Sequence, residues 1–451
     1  MNQEAAKFSV HRAACYLLCL IAWVGVVAPA GAVTLETCIR TALETNPDIQ
    51  AGAARIEAAR AMISKAQSAY YPRLYLSGAY SITNNPPQAF MMDLNQRNLD
   101  MRDPDFDPND PDATDNLRLT VGAQYRLYNG GVNTLNTRMA KEEKFAKEFQ
   151  LAAVQNELIH QVTRGYYSVL QAQAFVGVQQ ESVQSLEESL RVATARFNAG
   201  SVVKTDVLNL EVKLAQAKED RILARNGVQL AIASLNTVIG KDLIPLDGIP
   251  APSPQFLRGN PIHLDYQAVE DRPEMKAAEK MSSMYEQAYE KASRQTYPTV
   301  NAFGSYDMDS GDAETYEDSY MMGVLAKWEF FDGHQRASQI ASAKAAWQAA
   351  RKDEKKVYNQ LRLDLYQAFL KANEAWQRLQ VTQKSVDSAI EALRITGEQY
   401  KEGAAEITVL LTAQVGLTAQ KTRQIAAHYD YLIALSNFER ARGDAVKKFN
   451  P

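Results

Sequence analysis

Apolar and polar residues alternate singly in several short stretches of this chain. Leu74, Leu76, Gly78, Tyr80 and Ile82 interleave with Arg73, Tyr75, Ser77 and Ser81. Leu117, Leu119, Val121, Ala123, Tyr125 and Leu127 interleave with Arg118, Thr120, Gln124 and Arg126, and Tyr320, Met322, Val324, Ala326, Trp328 and Phe330 form a further series. A period of two over about ten residues, with aromatics near the ends, suits a strand that crosses an outer membrane. An ordinary half-buried hairpin alternates in the same way. The pattern predicts strands at about 73–82, 117–128, 299–308 and 318–331.

Elsewhere the period is seven. Val169, Val176, Val183, Leu190 and Phe197 keep that spacing, as do Leu210, Ala217, Ala224, Ala231 and Val238. A second series on the return stretch, Val207, Leu214, Val228 and Leu235, is broken by Arg221, and Ala372, Leu379, Val386, Leu393 and Tyr400 repeat the spacing later. Sustained heptads predict coiled coil. From Gly131 to Ala199 there is no proline. A helix of that length would run on the order of 100 Å, too long for a globular core. Gly200 and Gly403 follow the last heptad residues and predict helix ends, since glycine accepts φ > 0. Thr205 and Thr408 are then candidate caps for the returning helices.

The chain is a tandem duplication. Asn46-Pro47-Asp48 recurs as Arg272-Pro273-Glu274, Tyr71-Pro72 as Tyr297-Pro298 and Tyr80 as Tyr306, all offset by 226 residues. Tyr128-Asn129-Gly130 recurs as Phe331-Asp332-Gly333, Phe197 to Gly200 as Tyr400 to Gly403, and Ile239-Gly240 as Arg442-Gly443, all offset by 203. The single change of offset means that the first copy carries 23 extra residues between Tyr80 and Tyr128. The organisation read from this is a signal peptide at 1–32, a first repeat at 33–243 with a helical hairpin at about 131–240, a link at 244–262, a second repeat at 263–443 with a helical hairpin at about 334–443, and a tail at 444–451. The signal peptide rests on Lys7 and Arg12, the apolar run Ala13 to Val27 and the cleavage pattern Ala30-Gly31-Ala32.

Composition narrows the function. Hydrophobic residues make up 46% and charged residues 23%, with a net charge of −4, so the chain is foldable and has no basic stripe for nucleic acid. Cys38 is alone once the signal is removed, which leaves no disulfide framework. After residue 32 no apolar run is long enough for a membrane helix, so a membrane-crossing form must use strands closed into a barrel. Four strands cannot close one, and three copies would supply about 12. The five histidines are scattered, and no nucleophile motif, phosphate loop or paired catalytic carboxylates stand out. Neither an enzyme nor a metal or cofactor site is expected. The stretch Asn84 to Asp115 holds eight aspartates and two arginines and reads as a long solvated external loop, with Asp103, Asp105, Asp107 and Asp110 the only candidates for a calcium site. A coiled-coil envelope scaffold without a conduit shares many of these features.

The order helix, hairpin, long helix, glycine tip and return helix, given twice behind a signal peptide, resembles the TolC-like outer membrane factors. Tyr71-Pro72, Tyr128-Asn129-Gly130-Gly131, Arg196-Phe197-Asn198-Ala199-Gly200 and Thr205-Asp206-Val207-Leu208 carry the likeness, which covers essentially the whole mature chain. The resemblance implies a mainly α fold with a small β contribution, assembled as a homotrimer. A shared β-barrel would sit in outer membrane lipid above a periplasmic α-barrel. It further implies a periplasmic adaptor (a membrane fusion protein) and an inner-membrane transporter as partners, for efflux or type I secretion. Adaptor docking would fall to Gly200, Ser201, Val202, Gly403, Ala404 and Ala405. A periplasmic gate would involve Thr205, Asp206 and Tyr400, with Asp206 and Tyr400 expected to share a hydrogen bond. Ala405, Val409 and Thr412 stand where the family often has an arginine and two aspartates, which makes Lys204 and Lys401 alternative closing residues.

Overall fold

In the computed structural model, residues 33–444 are described apart from 103–106, 246–247, 250–261 and 313. The signal peptide, most of the link and tail, and Asp103 and Asp105 lie outside the described residues. Helix α1 (Leu35–Thr45) and helix α2 (Pro47–Gln67) open the chain. The Asn46 side chain accepts from the Asp48 amide at 2.8 Å, and Pro47 takes the first helical turn, where its missing N–H is harmless. Strand β1 (Arg73–Thr83) leads to a short helix α3 (Pro86–Asn95) and then to strand β2 (Thr114–Tyr128). Helix α4 (Val132–Asn198) is a single helix of 67 residues, and α5 (Lys204–Ile239) returns along it. The second repeat supplies α6 (Pro273–Arg294), β3 (Thr299–Ser310), β4 (Glu317–Lys327), α7 (Gln335–Glu402) of 68 residues, and α8 (Ile407–Arg442).

The four strands form one antiparallel sheet in chain order, with β1 and β4 as its edges. Leu76, Val121, Tyr306 and Tyr320 align across the sheet, as do Ser77, Thr120, Asp307 and Ser319. One face is therefore apolar and the other polar, as a pleat with period two dictates. The apolar face is bare in the chain: Leu74 and Met322 are each 75% exposed. Strand β3 runs two residues past its expected end, to Ser310, and two other limits depart further from the alternation. Strand β2 begins at Thr114, because Thr83 of β1 reaches down to pair with it. Strand β4 ends at Lys327, opposite Thr299, and not at Phe331. Thr299 follows Pro298, which has no N–H to continue the ladder. The aromatic residues Trp328, Phe330 and Phe331 lie beyond the last pair and are exposed.

Heptad positions form the helical seams. Val169, Val183, Leu210, Ala217, Ala372, Leu379, Val386 and Tyr400 are all buried, whereas Phe197, at the end of its series, is 40% exposed. One core gathers Cys38, Ile39, Val162, Val169, Ile232 and Leu235 near the start of the first repeat. Another, built from Val269, Leu365, Ala372 and Phe438, occupies the same place in the second. The equivalence reaches individual hydrogen bonds. Asn46 Nδ2 donates to the Val238 carbonyl at 2.8 Å, and Arg272 Nη1 donates to the Ala441 carbonyl at 3.2 Å. These pairs stand at the 226 and 203 offsets, so each repeat closes its return helix with the residue before its helix-starting proline.

The segment read as a long solvated external loop contains α3. Asn85-Pro86 starts it, and Ala89 within it is fully buried. Among the described residues no group of His, Cys, Asp or Glu could hold a metal ion.

Candidate functional site: the hairpin tips and the polar sheet face

The tips of the two helical hairpins are built alike. Gly200 (φ 75°) and Gly403 (φ 79°) adopt the left-handed conformation. The Ser201 amide donates to the Arg196 carbonyl at 2.9 Å and the Ala404 amide to the Gln399 carbonyl at 2.8 Å, which closes the last turn of each long helix. A Cβ added at either glycine would meet open space, so conformation rather than crowding selects glycine. Ser201, Gly200, Gly403 and Ala404 are exposed, with Val202 and Ala405 half-buried.

The return helices start differently from the sequence expectation. The cap of α5 is Val203 and that of α8 is Glu406, both extended and neither capping a backbone amide with its side chain. Thr205 and Thr408 fall inside the first turn, two residues too late to cap. The chain enters each helix directly from an extended residue after a short tip. Thr408 instead donates to the Glu406 carboxylate at 3.3 Å.

Near the tips, Tyr400 is buried in a shared core with Val183, Leu186, Leu210, Ile407 and Leu410, drawn from both hairpins. No direct bond joins Asp206 to Tyr400. The Tyr400 hydroxyl has no hydrogen-bond partner among the described residues. Burial pushes the phenol above its ordinary range; Arg196 pulls it back and the Asp206 carboxylate adds to the rise. The residue that joins the tips is Arg196. Its Nη1 donates to the Tyr400 carbonyl at 2.7 Å and its Nη2 to the Lys401 carbonyl. Its guanidinium lies 5.2 Å from the Tyr400 ring centroid. A cation on the last carbonyls of α7 also meets the negative end of that helix. The motif containing Arg196 was visible in the sequence, but its partners are backbone carbonyls, which no residue pattern encodes.

Asp206 sits in the first turn of α5. Val409 and Thr412, three residues apart on α8, are exposed in the chain, as are Thr205, Lys204 and Lys401. Above the tips, Gln414 donates to Ser185 (3.0 Å) and Ser189 (2.8 Å), and Lys421 pairs with Glu181, so the hairpins are cross-linked along α4 and α8.

About midway along the helices an ionic cluster within the second repeat surrounds the buried Arg272 and touches the first repeat at Glu157. Arg272, 2% exposed, forks onto Glu274 and reaches Asp364 at 2.8 Å. Arg440 bonds the other Asp364 oxygen at 2.8 Å and lies 3.6 Å from Glu157 of α4. Burial raises the Asp364 carboxyl, but its hydrogen bonds from Arg272 and Arg440 outweigh this and hold it below the usual range. Sequence reasoning missed this cluster. Its one signal was that the repeats place Asn46 and Arg272 at equivalent positions.

On the polar sheet face, Thr120 donates to Asp307 at 2.5 Å, and Arg118 and Asn116 both donate to Asp309, at 2.8 and 2.5 Å. The arrangement is a slender helical body ending in a sheet with one polar and one bare apolar face. It can line a passage on one side and meet lipid on the other.

Comparison with known proteins agrees with this geometry. A family model described as outer membrane efflux protein matches residues 38–241 and 264–444. The outer membrane protein TolC of Vibrio cholerae serotype O1 is 23% identical over 413 residues, covering 89% of each chain. The outer membrane efflux protein BepC of Brucella suis biovar 1 is 22% identical, covering 89% of this chain and 83% of that one. A solved structure of CusC superposes with a TM-score of 0.78 at 16% identity, covering 93% of this chain and 95% of that one.

Proposed function

The chain belongs to the outer membrane efflux protein family, and from that premise we propose that it works as the homotrimeric exit duct of a three-part export assembly. It resides in the outer membrane with its helices in the periplasm, and serves as an exit duct for efflux or type I secretion. The trimer reading rests above all on the four-stranded sheet, whose apolar face is bare and whose edges β1 and β4 are unpaired within the chain. Open edges are not tolerated in lipid. In a four-stranded meander β1 and β4 run antiparallel, so β4 of one copy can pair with β1 of the next and close a ring. The helices favour the same assembly. Contrary to the sequence reading, helix α5 contains an 18-residue window apolar enough to cross a bilayer by length and composition, yet only 17% of that window is buried in the chain. Val212, Ile222, Leu223 and Leu230 remain exposed there, and Val381 and Leu363 on α7. Neighbouring copies would bury them. The purified protein in detergent is expected to be a trimer by light scattering; a stable folded monomer overturns the reading.

The tips Gly200, Ser201, Val202, Gly403, Ala404 and Ala405 would receive a periplasmic adaptor, which in turn holds an inner-membrane transporter. Small residues there permit close approach of a partner's helices. Ser201→Trp and Ala404→Trp add bulk without disturbing the left-handed glycines, and should abolish export while trimers persist. Normal export by both variants removes the tips as the docking surface. Thr205, Asp206, Tyr400, Val409 and Thr412 would surround the gate at the periplasmic end, with Arg196 holding the two tips of each copy together. The nature of the exported substrate would be set by the transporter.

A further inference from the structure

The 23 residues by which the first repeat exceeds the second lie between β1 and β2, and they include α3 and its C-terminal turn. The corresponding turn between β3 and β4 is short and has no helix among its described residues. Helix α3 packs on β2 and reaches as far as β4. The face that it covers follows from the register. Asn116 and Arg118 share a face of β2, and Asp309, paired with Arg118, points the same way. Asn116 and Asp309 are 2% and 1% exposed, although they belong to the polar face. What covers them is Gln96, immediately after α3 and itself 6% exposed.

Gln96 Nε2 donates to the Asp115 carbonyl at 2.7 Å and to Asn116 Oδ1 at 3.1 Å, and Asn116 passes the chain on to Asp309. The seat is close: a Cβ at Gly311 would fall 2.6 Å from Gln96 Oε1. Arg97 completes the hold. It adopts φ 56°, a conformation that favours glycine, while the Asn98 amide closes the turn onto the Asp93 carbonyl at 3.0 Å. From there its side chain pairs with Glu317 and reaches the Asp318 carbonyl at 3.4 Å, on the far edge strand. An arginine where the backbone prefers glycine implies that the side chain is needed.

We propose that α3 is a lid on the external mouth of the duct, latched across the polar face of the sheet by Gln96 and Arg97, so that the channel carries a second constriction at the end remote from its helices. The proposal rests on the reading that this polar face lines the duct. Three copies would bring three lids toward one axis. The latch would admit exported material pushing outward while restricting bulky solutes from outside. The buried Gln96–Asn116–Asp309 chain carries most of the hold, because the Arg97 pair is exposed and screened.

The test uses the full-length protein in intact cells. Gln124 shares the polar face of β2 with Asn116 and lies roughly 25 Å farther from the mouth, at about 3.3 Å per residue. Gln124→Cys is labelled from outside with a small membrane-impermeant maleimide and, separately, with a bulky polyethylene-glycol maleimide. The chain without Gln124→Cys gives the background from buried Cys38. Gln96→Glu is isosteric but faces a carbonyl and the Asn116 carbonyl oxygen with a carboxylate, close to Asp309. It should raise the rate of bulky labelling about tenfold relative to the latched form. Arg97→Gly suits the left-handed backbone, so it keeps the turn while deleting the side chain, and should raise the rate by a smaller factor. Charge exchange, Arg97→Glu with Glu317→Arg, should restore the slow rate. Equal bulky labelling in the latched, Gln96→Glu and Arg97→Gly forms overturns the lid. Failure of the small reagent to reach Gln124→Cys in every form overturns the duct-lining reading itself.

Discussion

Arg196→Met removes the side chain that hydrogen-bonds the tip of the first helical hairpin to the tip of the second, while keeping a stem that can pack on Tyr400. Two charge-assisted hydrogen bonds to the last carbonyls of α7 and a stacked ring are lost. A hydrogen bond to a charged group contributes about 1.5–3 kcal/mol, and an exposed cation–π contact about 0.5–1 kcal/mol. Arg196 is only half-buried, and solvent screening reduces these figures to about 2 kcal/mol for the set. Three symmetric copies acting on one closed-to-open equilibrium would then contribute about 6 kcal/mol, enough to invert a duct that is closed 99 times in 100. Single-channel conductance in a planar bilayer is the assay, with sensitivity of cells to a bulky antibiotic as its counterpart. We expect Arg196→Met to raise both, and Arg196→Lys to fall between, since an ammonium keeps the charge but loses the fork. Tyr400→Phe provides the contrast. Its hydroxyl is buried without a partner among the described residues, so its removal should leave conductance unchanged. If Arg196→Met conducts like the unaltered protein, or Tyr400→Phe opens the duct as far, the staple is not what holds the tips.

Three further outcomes follow from the repeats. Arg272→Ala takes a cation from the half-buried Glu274 and Asp364, while Arg440 stays on Asp364, and should destabilise the chain by about 2 kcal/mol, read as a lower temperature of trimer dissociation. The Asp364 carboxyl is held below its ordinary range, so its contribution is present at neutral pH and is lost as pH falls through that lowered value. The stability gap between the unaltered protein and Asp364→Asn should therefore close in acid, and a gap that persists there refutes the assignment. His334 occupies φ 70° where the first repeat has Gly131 at φ 83°. His334→Gly should stabilise by about 1 kcal/mol, and a lower dissociation temperature would show that the imidazole holds a contact worth more than the strain.

Periodicity made the helical seams readable because burial in a coiled coil repeats with the sequence: Val183, Leu210, Leu379 and Tyr400 were picked out by spacing alone and are buried. The strands were readable for the same reason, with errors at limits where pairing depends on a distant partner, as at Thr114, Ser310 and Lys327. The caps at Thr205 and Thr408 were misplaced because cap preference describes a residue type, whereas the start of a helix depends on how the tip delivers the chain. Helix α3 was hidden by its setting, a short apolar face inside an aspartate-rich stretch that reads as solvated. The Arg196 staple and the Arg272–Asp364–Arg440 cluster join residues far apart in sequence, so no local pattern could pair them.

The two repeats share a backbone but divide the labour. Where the first closes its return helix with a neutral amide, Asn46, the second uses Arg272 and surrounds it with Glu274, Asp364 and Arg440. A neutral hydrogen bond contributes about 1 kcal/mol and tolerates small displacements. A buried ionic cluster is intolerant of them, because moving one member strands a charge. Arg440 also faces Glu157 of α4 at 3.6 Å, a half-exposed contact that adds little beside the helix packing of the two repeats at this level. At the tips the direction is reversed: Arg196 of the first repeat reaches the second. A helical pair packed along α4, α6 and α8 and tied at its tips by a half-exposed arginine can pivot there when that tie is released. The long helices would convert a small rotation there into a displacement of the tips. A duct that opens at its periplasmic end while its sheet stays closed in the membrane needs that distribution of strong and weak contacts.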